Sequence, residues 1–212
     1  MKLRQSSMPE ESYWETFFDP SSILGRLHIG KELRDVVELG CGYGTFSLPV
    51  ASAISGTLCS FDIEAAMVER TRRRAEERGI INLRCEQRDV FRDGFGVAPH
   101  SQDGCLLFNI LHCENPVGVL REAGSVITEQ GSVFVIHWRH DPSTPRGPSL
   151  DIRPRPEDCM RWAREAGLRL DESGIVDLPP YHYGLVLKRQ AKTVSPANAT
   201  ASFRRSPGSK RG

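Results

Sequence analysis

The stretch VVELGCGYG, residues 36–44, decides the architecture. Its first four residues are an apolar run of the kind that forms a buried strand, and the run stops at three alternate glycines, Gly40, Gly42 and Gly44. Glycine lets a backbone turn sharply and approach a ligand without Cβ clashes. Past the turn, Tyr43–Ser55 reads as a helix, with a kink or a start near Pro49. A helix that begins behind such a turn offers unpaired N–H groups and the positive end of its dipole to an anionic group.

Outward from this loop, apolar runs alternate with helical periods. Strands are expected over Asp35–Gly40, Thr57–Ile63, Leu83–Val90, Gly104–Leu111 and Ser132–Arg139. Between them lie a helix over Glu64–Arg78, stopped by Gly79, and one over Pro116–Glu129, ending at Gly131. Alternation of this kind means βαβ units, hence a mostly parallel sheet with helices on both faces. Right-handed crossovers make it a doubly wound, Rossmann-like α/β fold. A helix over Pro156–Gly167 and strands over Leu168–Glu172 and Tyr183–Arg189 close the sheet.

The 212 residues suit one domain with appendages. Residues 1–8 read as an unstructured start, 9–190 as the domain and 191–212 as a disordered tail rich in Ser, Pro, Ala and Gly. Residues 9–27, PEESYWETFFDPSSILGRL, combine an acidic first turn with aromatics at helical spacing. Arg139–Asp158 holds five prolines and no apolar period, so it is a long loop of the kind that usually carries function or disorder.

Charge is unevenly spread. The net +1 includes five basic residues and no acid after Gln190, which leaves 23 basic against 27 acidic residues in the body. A mildly acidic body argues against a duplex-binding enzyme, whose basic groups belong on a folded face. The tail is either dispensable or an arm for an anionic partner. No apolar run approaches a membrane span, and no apolar core follows the basic start as in a secretory signal. Six cysteines stand singly without a C-x-x-C pair, which suits a reduced, cytoplasmic setting and no metal site.

Asp62 ends the second strand about 20 residues after the loop, where a carboxylate accepts from both hydroxyls of a ribose; it also stands where it would cap the helix that follows. An adenosine-type ligand is implied. Dinucleotide binding wants G-x-G-x-x-G, but the third position is Thr45, and no G-K-[ST] completes a P-loop. Glu38 beside the loop would repel a phosphate and attract an ammonium or sulfonium. The ligand suggested is zwitterionic, cationic at one end, and carries a ribose.

These residues resemble the class I S-adenosyl-L-methionine-dependent methyltransferases. E-x-G-x-G-x-G at Glu38–Gly44 is similar to that family's first motif, and Asp62 to the acid closing its second strand. Asp89-Val90 resemble the pair that contacts adenine, and Leu107–His112 (LFNILH) the fourth motif of small-molecule members of the type 11/12/25 kind, including quinone C-methyltransferases. The resemblance covers roughly Asp35–Arg139 and implies a seven-stranded sheet with one antiparallel strand. It implies that Gly40, Cys41, Gly42 and Gly44 line the methionine part of the cofactor while Glu38 shapes the loop. Asp62 would hold the ribose, Ile63 flank the adenine, and Asp89 and the Val90 N–H bind its edge. Asn109 would stand near the methyl centre, the product would be S-adenosyl-L-homocysteine, and a helix around Tyr13, Trp14 and Phe17 would cover the mouth. A DPPY-type motif for nucleic-acid amino groups is absent, so the implied acceptor is a small molecule.

Two histidines beyond strand ends, His112 and His140, are candidate general bases beside Asn109, since ligands of doubly wound sheets lie past the carboxyl ends of the strands. Each is equally a packing residue, and His137, within a strand, reads as packing. Arg146, Arg153 and Arg155 either clamp an acceptor carboxylate or phosphate or pair with Asp141, Asp151 and Glu157. Trp14, Trp138 and Tyr181, with His182 and Tyr183 beside the last, wall an aromatic acceptor pocket or pack on the sheet. Alternatives to a small-molecule methyltransferase are an idle cofactor-binding protein on the same fold, a protein or natural-product methyltransferase, and, third, a dinucleotide oxidoreductase.

Overall fold

The computed structural model describes residues 8–190; the expectations for residues 1–7 and 191–212 lie outside the described residues. Its strands are β1 (Val36–Leu39), β2 (Leu58–Asp62), β3 (Leu83–Gln87), β4 (Gln102–Phe108), β5 (Ile127–Trp138), β6 (Leu168–Leu178) and β7 (His182–Arg189). They form one sheet in the order β3-β2-β1-β4-β5-β7-β6. Ladders between β1 and β2, β2 and β3, β1 and β4, and β4 and β5 are parallel, and β7 runs antiparallel to both β5 and β6. This is the Rossmann-like doubly wound sheet with one reversed strand that the alternation and the family resemblance lead one to expect.

The helices are α1 (Glu11–Glu15), α2 (Pro20–Arg26), α3 (Ser47–Ala53), α4 (Ala65–Glu77), α5 (Val90–Asp93), α6 (Pro116–Val126) and α7 (Pro156–Glu165). Alternate strand residues serve opposite faces. Val37, Leu39, Cys105 and Leu107 pack with α5, α6 and α7, whereas Val36, Leu58, Leu106 and Phe108 pack with α2 and α3. Both faces are apolar because both are covered, which is why the parallel strands read as continuous apolar runs.

Several boundaries differ from expectation for local reasons. α3 begins at Ser47, four residues late, so Pro49 falls in its first turn, where the missing N–H costs nothing and no kink is needed. β3 ends at Gln87, and Val90 opens α5 instead of closing the strand. β4 stops at Phe108 because Asn109 takes a left-handed φ of 57°, which ends the extended ladder. β5 begins directly at Ile127 and β6 runs on to Leu178, so the far edge of the sheet is longer than its apolar period indicates.

Candidate functional site

The direction of strand succession reverses at β1: β2 lies to one side and β4 to the other. Beyond the carboxyl ends of these strands a crevice must open, because the connections leave in opposite directions. A cavity of about 580 Å³ occupies that place. Its volume falls within the roughly 300–1,000 Å³ usual for small-ligand sites.

The glycine loop forms one wall. Gly40, Gly42 and Gly44 have φ of 89°, 50° and 78°, which L side chains rarely adopt. A Cβ on Gly40 would meet Ile110 at 3.0 Å, and one on Gly42 would meet Met8 at 3.2 Å. Gly44 does not line the cavity; its Cα faces Leu48 and Thr71, so its smallness serves the packing of α3 against α4. The expected ligand contact of Gly44 is thereby corrected to a structural one. Thr71 Oγ1 donates to the Gly42 carbonyl at 2.9 Å and holds the loop from behind.

Asp62 closes β2 and faces this loop. Its Oδ2 accepts from the Gly42 N–H and its Oδ1 from the Glu64 N–H, each at 3.0 Å. The carboxylate thus caps the chain entering α4 and braces the glycine turn; Oδ2 also accepts from Cys41 Sγ at 3.8 Å, and Oδ1 keeps acceptor capacity for a ligand. Ile63, Asp89 and Val90 complete this side of the cavity. Cys41 lies on the wall with its thiol pKa raised by the Cys85 thiol first and by burial second, so it stays a neutral small side chain.

Glu38 is 2 % exposed and accepts from Ser47 Oγ at 2.5 Å and from Ser60 Oγ. Burial pushes its carboxyl up to about 7 against the lowering effect of the two hydroxyls. These bonds tie β1 to β2 and to the start of α3. At neutral pH it is about half protonated, so its attraction for a cation is weaker than a full charge implies.

Two buried polar atoms on the wall, Thr45 Oγ1 and Asn109 Oδ1, have no hydrogen-bond partner among the described residues. Buried polar atoms are normally satisfied, so two such atoms on one cavity wall point to a polar ligand there. Asn109 was expected from the sequence. Thr45 was not, although its place directly after Gly44 puts it at the mouth of the turn.

The other half of the cavity is aromatic. Trp14, Phe46, Phe108 and Trp138 line it together with His112 and the segment 146–152. The rings interlock, Phe46 on Phe108 at 4.9 Å and Trp14 on Trp138 at 6.2 Å. From the N-terminal segment Met8, Pro9 and Trp14 line the cavity. Glu11 and Glu15 of α1 bind Arg74 at 2.8 Å, and Tyr43 Oη donates to the Pro9 carbonyl at 2.8 Å. Met8, expected in the unstructured start, lies on this wall beside Gly42; no signal in its own sequence marks it.

Of the expected catalytic and acceptor residues, Trp14, Asn109, His112, Trp138 and Arg146 line the cavity and three do not. His140 lines a separate depression with Arg139 and Arg155, and its Nε2 binds the Leu150 carbonyl at 2.9 Å, so it organises the loop and is not a base for this site. Arg153 is 7 % exposed and donates to the carbonyls of Arg139, Asp141, Arg146 and Pro148, which makes it the internal brace of the loop and not an anion clamp. Tyr181 stacks behind Trp138 at 6.3 Å without lining the cavity. Tyr183 is buried, its Oη bound to the Pro154 carbonyl at 3.0 Å. No group of His, Cys, Asp and Glu among the described residues is able to hold a metal ion, and no helix among them is long and apolar enough to cross a membrane.

Residues 36–131 match the family model described as a methyltransferase domain. By structure the chain is similar to a SAM dependent methyltransferase from Aquifex aeolicus, with a TM-score of 0.73 and 18 % identity over 84 % of this chain and 93 % of that one. It is also similar to a putative type 11 methyltransferase from Sulfolobus solfataricus, with a TM-score of 0.67 and 23 % identity over 84 % and 95 %. An O-methyltransferase from neocarzinostatin biosynthesis, solved with S-adenosyl-L-homocysteine and 1,4-dihydroxy-2-naphthoic acid, matches with a TM-score of 0.64 and 18 % identity over 81 % of this chain and 53 % of that one. No curated protein matches the sequence.

Proposed function

We propose that the chain, whose residues 36–131 match a methyltransferase-domain model and whose strand order is that of a Rossmann-like sheet, transfers a methyl group from S-adenosyl-L-methionine to a small-molecule acceptor. The observation that carries the reading is Asp62. Its carboxylate is held by the Gly42 and Glu64 N–H groups at the mouth of the 580 Å³ cavity, with acceptor capacity left for ribose hydroxyls.

The cofactor fits the wall described. Asp62 would hold the ribose, with Ile63, Asp89 and Val90 around the base. Gly40, Cys41 and Gly42 would pass close to the amino-acid part, and Thr45 Oγ1 and Asn109 Oδ1 would meet its polar groups. When bound, the sulfonium supplies an already activated methyl group. The protein's share of the chemistry is therefore positioning and water exclusion. Trp14 and Trp138 give a flat acceptor an aromatic wall, Met8, Pro9 and the segment 146–152 line the same cavity, and His112 stands within the acceptor half to take a proton. A cavity of this size suits a small acceptor better than a polymer.

Calorimetry with S-adenosyl-L-methionine and with NAD tests the reading. Binding of the first and not the second is expected. Asp62→Ala should weaken that binding at least tenfold while the unliganded protein still unfolds cooperatively. An unchanged affinity would remove Asp62 from the site. Label transfer from a methyl-labelled donor to compounds in a cell extract then separates an enzyme from an idle binder.

A further inference from the structure

His137 stands directly behind a residue of the cavity. It is fully buried on β5, its Nε2 lies 3.3 Å from Nδ1 of His112, and the two rings meet edge to face at 80°. The approach follows from the sheet. Phe108 of β4 pairs with Ile136 of β5, so residues just past the end of β4 come to lie over His137. Along the chain the two histidines are 25 residues apart, and His137 is one apolar-strand position among others.

We propose that His137 is a positioning residue for His112: its Nε2 accepts the Nδ1–H of His112 and so presents the Nε2 lone pair of His112 to the acceptor as a general base. This rests on the methyltransferase reading above and assigns the acceptor to a class that must shed a proton, a weakly acidic O–H or C–H.

Only one proton fits between the facing nitrogens. If His137 donates it, His112 carries its own proton on Nε2 and has no lone pair for the cavity. If His112 donates it, Nε2 is a base. When that base takes the acceptor's proton, His112 becomes an imidazolium with both nitrogens protonated, and His137 must then be a neutral acceptor at Nε2. The acceptor's O–H or C–H bond breaks, its electron pair stays on the acceptor, and the proton stays on His112 without passing to His137.

The surroundings keep His137 in that neutral form. Burial pulls its pKa well below the usual imidazole value, and His112, His182 and Arg153 oppose a charge there, against a smaller favourable pull from the Trp138 backbone. Tyr183, stacked at 6.3 Å, has its hydroxyl engaged by Pro154 and Cys159, and burial raises its pKa, so it remains neutral as well. A neutral imidazole carries one N–H and one lone pair, and the proposal assigns His137 the tautomer with its proton on Nδ1, which leaves Nε2 to accept.

The test is histidine NMR on the full chain labelled with ¹⁵N in the imidazole rings, without cofactor. At a pH above the His112 midpoint, His112 should show its proton on Nδ1. In His137→Leu the His112 midpoint should fall by about one unit, the loss of one hydrogen bond to a charged group. His137→Gln, whose carbonyl reaches the place of Nε2, should restore most of that shift. A proton found on Nε2 of His112 in the wild type, or an unchanged midpoint in both variants, overturns the proposal. The wild-type tautomer decides the matter even if His137→Leu does not fold. Because no cofactor is present, failure here is separate from failure of S-adenosyl-L-methionine to bind.

Discussion

Glu38 shows at the scale of one residue how a binding loop is built at a cost in stability. Its carboxyl is buried, its hydrogen bonds are to two serine hydroxyls, and no cation among its neighbours offsets the burial. Its pKa is about 7 in the folded chain against 4.5 when solvated. Between those values the unfolded chain has released the proton and the folded one has kept it. The contribution of this group to stability is therefore full below pH 4.5 and is lost as pH rises through 7, by roughly 3 kcal/mol. Glu38→Gln keeps a carbonyl for the hydroxyls and carries no charge. Its thermal midpoint should exceed that of the wild type at pH 8 and match it at pH 4.5. Equal midpoints at pH 8 would mean that the carboxyl ionises in the fold without penalty. The sequence read Glu38 as a loop-shaping residue, but the burial that raises its pKa and the two serines that oppose it are brought together only by the fold.

At the scale of an element, the 139–155 connection is a loop with its own interior. Arg153 lies inside it and binds four backbone carbonyls, and Thr144 Oγ1 is a fifth partner. Gly147, at φ 120°, is pressed against both Trp138 and the Arg153 guanidinium, where a Cβ would stand 2.9 Å from each. One guanidinium thus takes the place of the secondary structure that four prolines prevent. Arg153→Leu leaves those carbonyls without a donor and should cost about 3 kcal/mol. The loop should become the first site of limited proteolysis, while the affinity for S-adenosyl-L-methionine stays close to wild type because Asp62 and the glycine turn are untouched. A parallel loss of cofactor affinity would show that the loop also forms the cofactor half. Its prolines and missing apolar period announced a loop that carries function or disorder; that its arginine points inward was not legible, because five donors in a planar fork serve carbonyls as well as substrates.

For the molecule as a whole, the N-terminal segment and the far end of the sheet meet in one aromatic cluster. His182 opens β7 within it, stacked on Phe18 at 4.5 Å and beside Trp138 at 4.2 Å. Neither ring nitrogen has a hydrogen-bond partner among the described residues. Burial, with Arg139 and Arg153 nearby, takes its pKa down to about 3. Here the folded chain holds the neutral form while the unfolded chain gains a proton below pH 6.5. Stability from this group is full above 6.5 and is lost as pH falls toward 3, which amounts to about 2 kcal/mol by pH 5. His182→Phe should unfold at a higher temperature than the wild type at pH 5 and change little at pH 8. A wild-type-like acid limb in the variant would place the acid sensitivity elsewhere. The same cluster closes the acceptor half of the cavity, so acid lability and loss of the acceptor site are expected to coincide.

What the sequence by itself determined is local in origin. The alternation of apolar runs with helical periods, the three glycines that need positive φ, and an acid at the end of β2 each act through nearby backbone and solvent, so each is readable in a short window. They were enough for the doubly wound sheet and the ends of most elements, and they supplied the residues of the cofactor wall proposed above. Only the tertiary structure decided which long side chains meet. Strand register set His137 behind His112, folding turned Arg153 into its own loop, and Gly44 faced a helix instead of the cavity. The physical reason is that hydrogen-bond donors and acceptors are chemically unselective at a distance. Their partners are chosen by the packing of elements far apart in the chain, and no window of sequence contains that information.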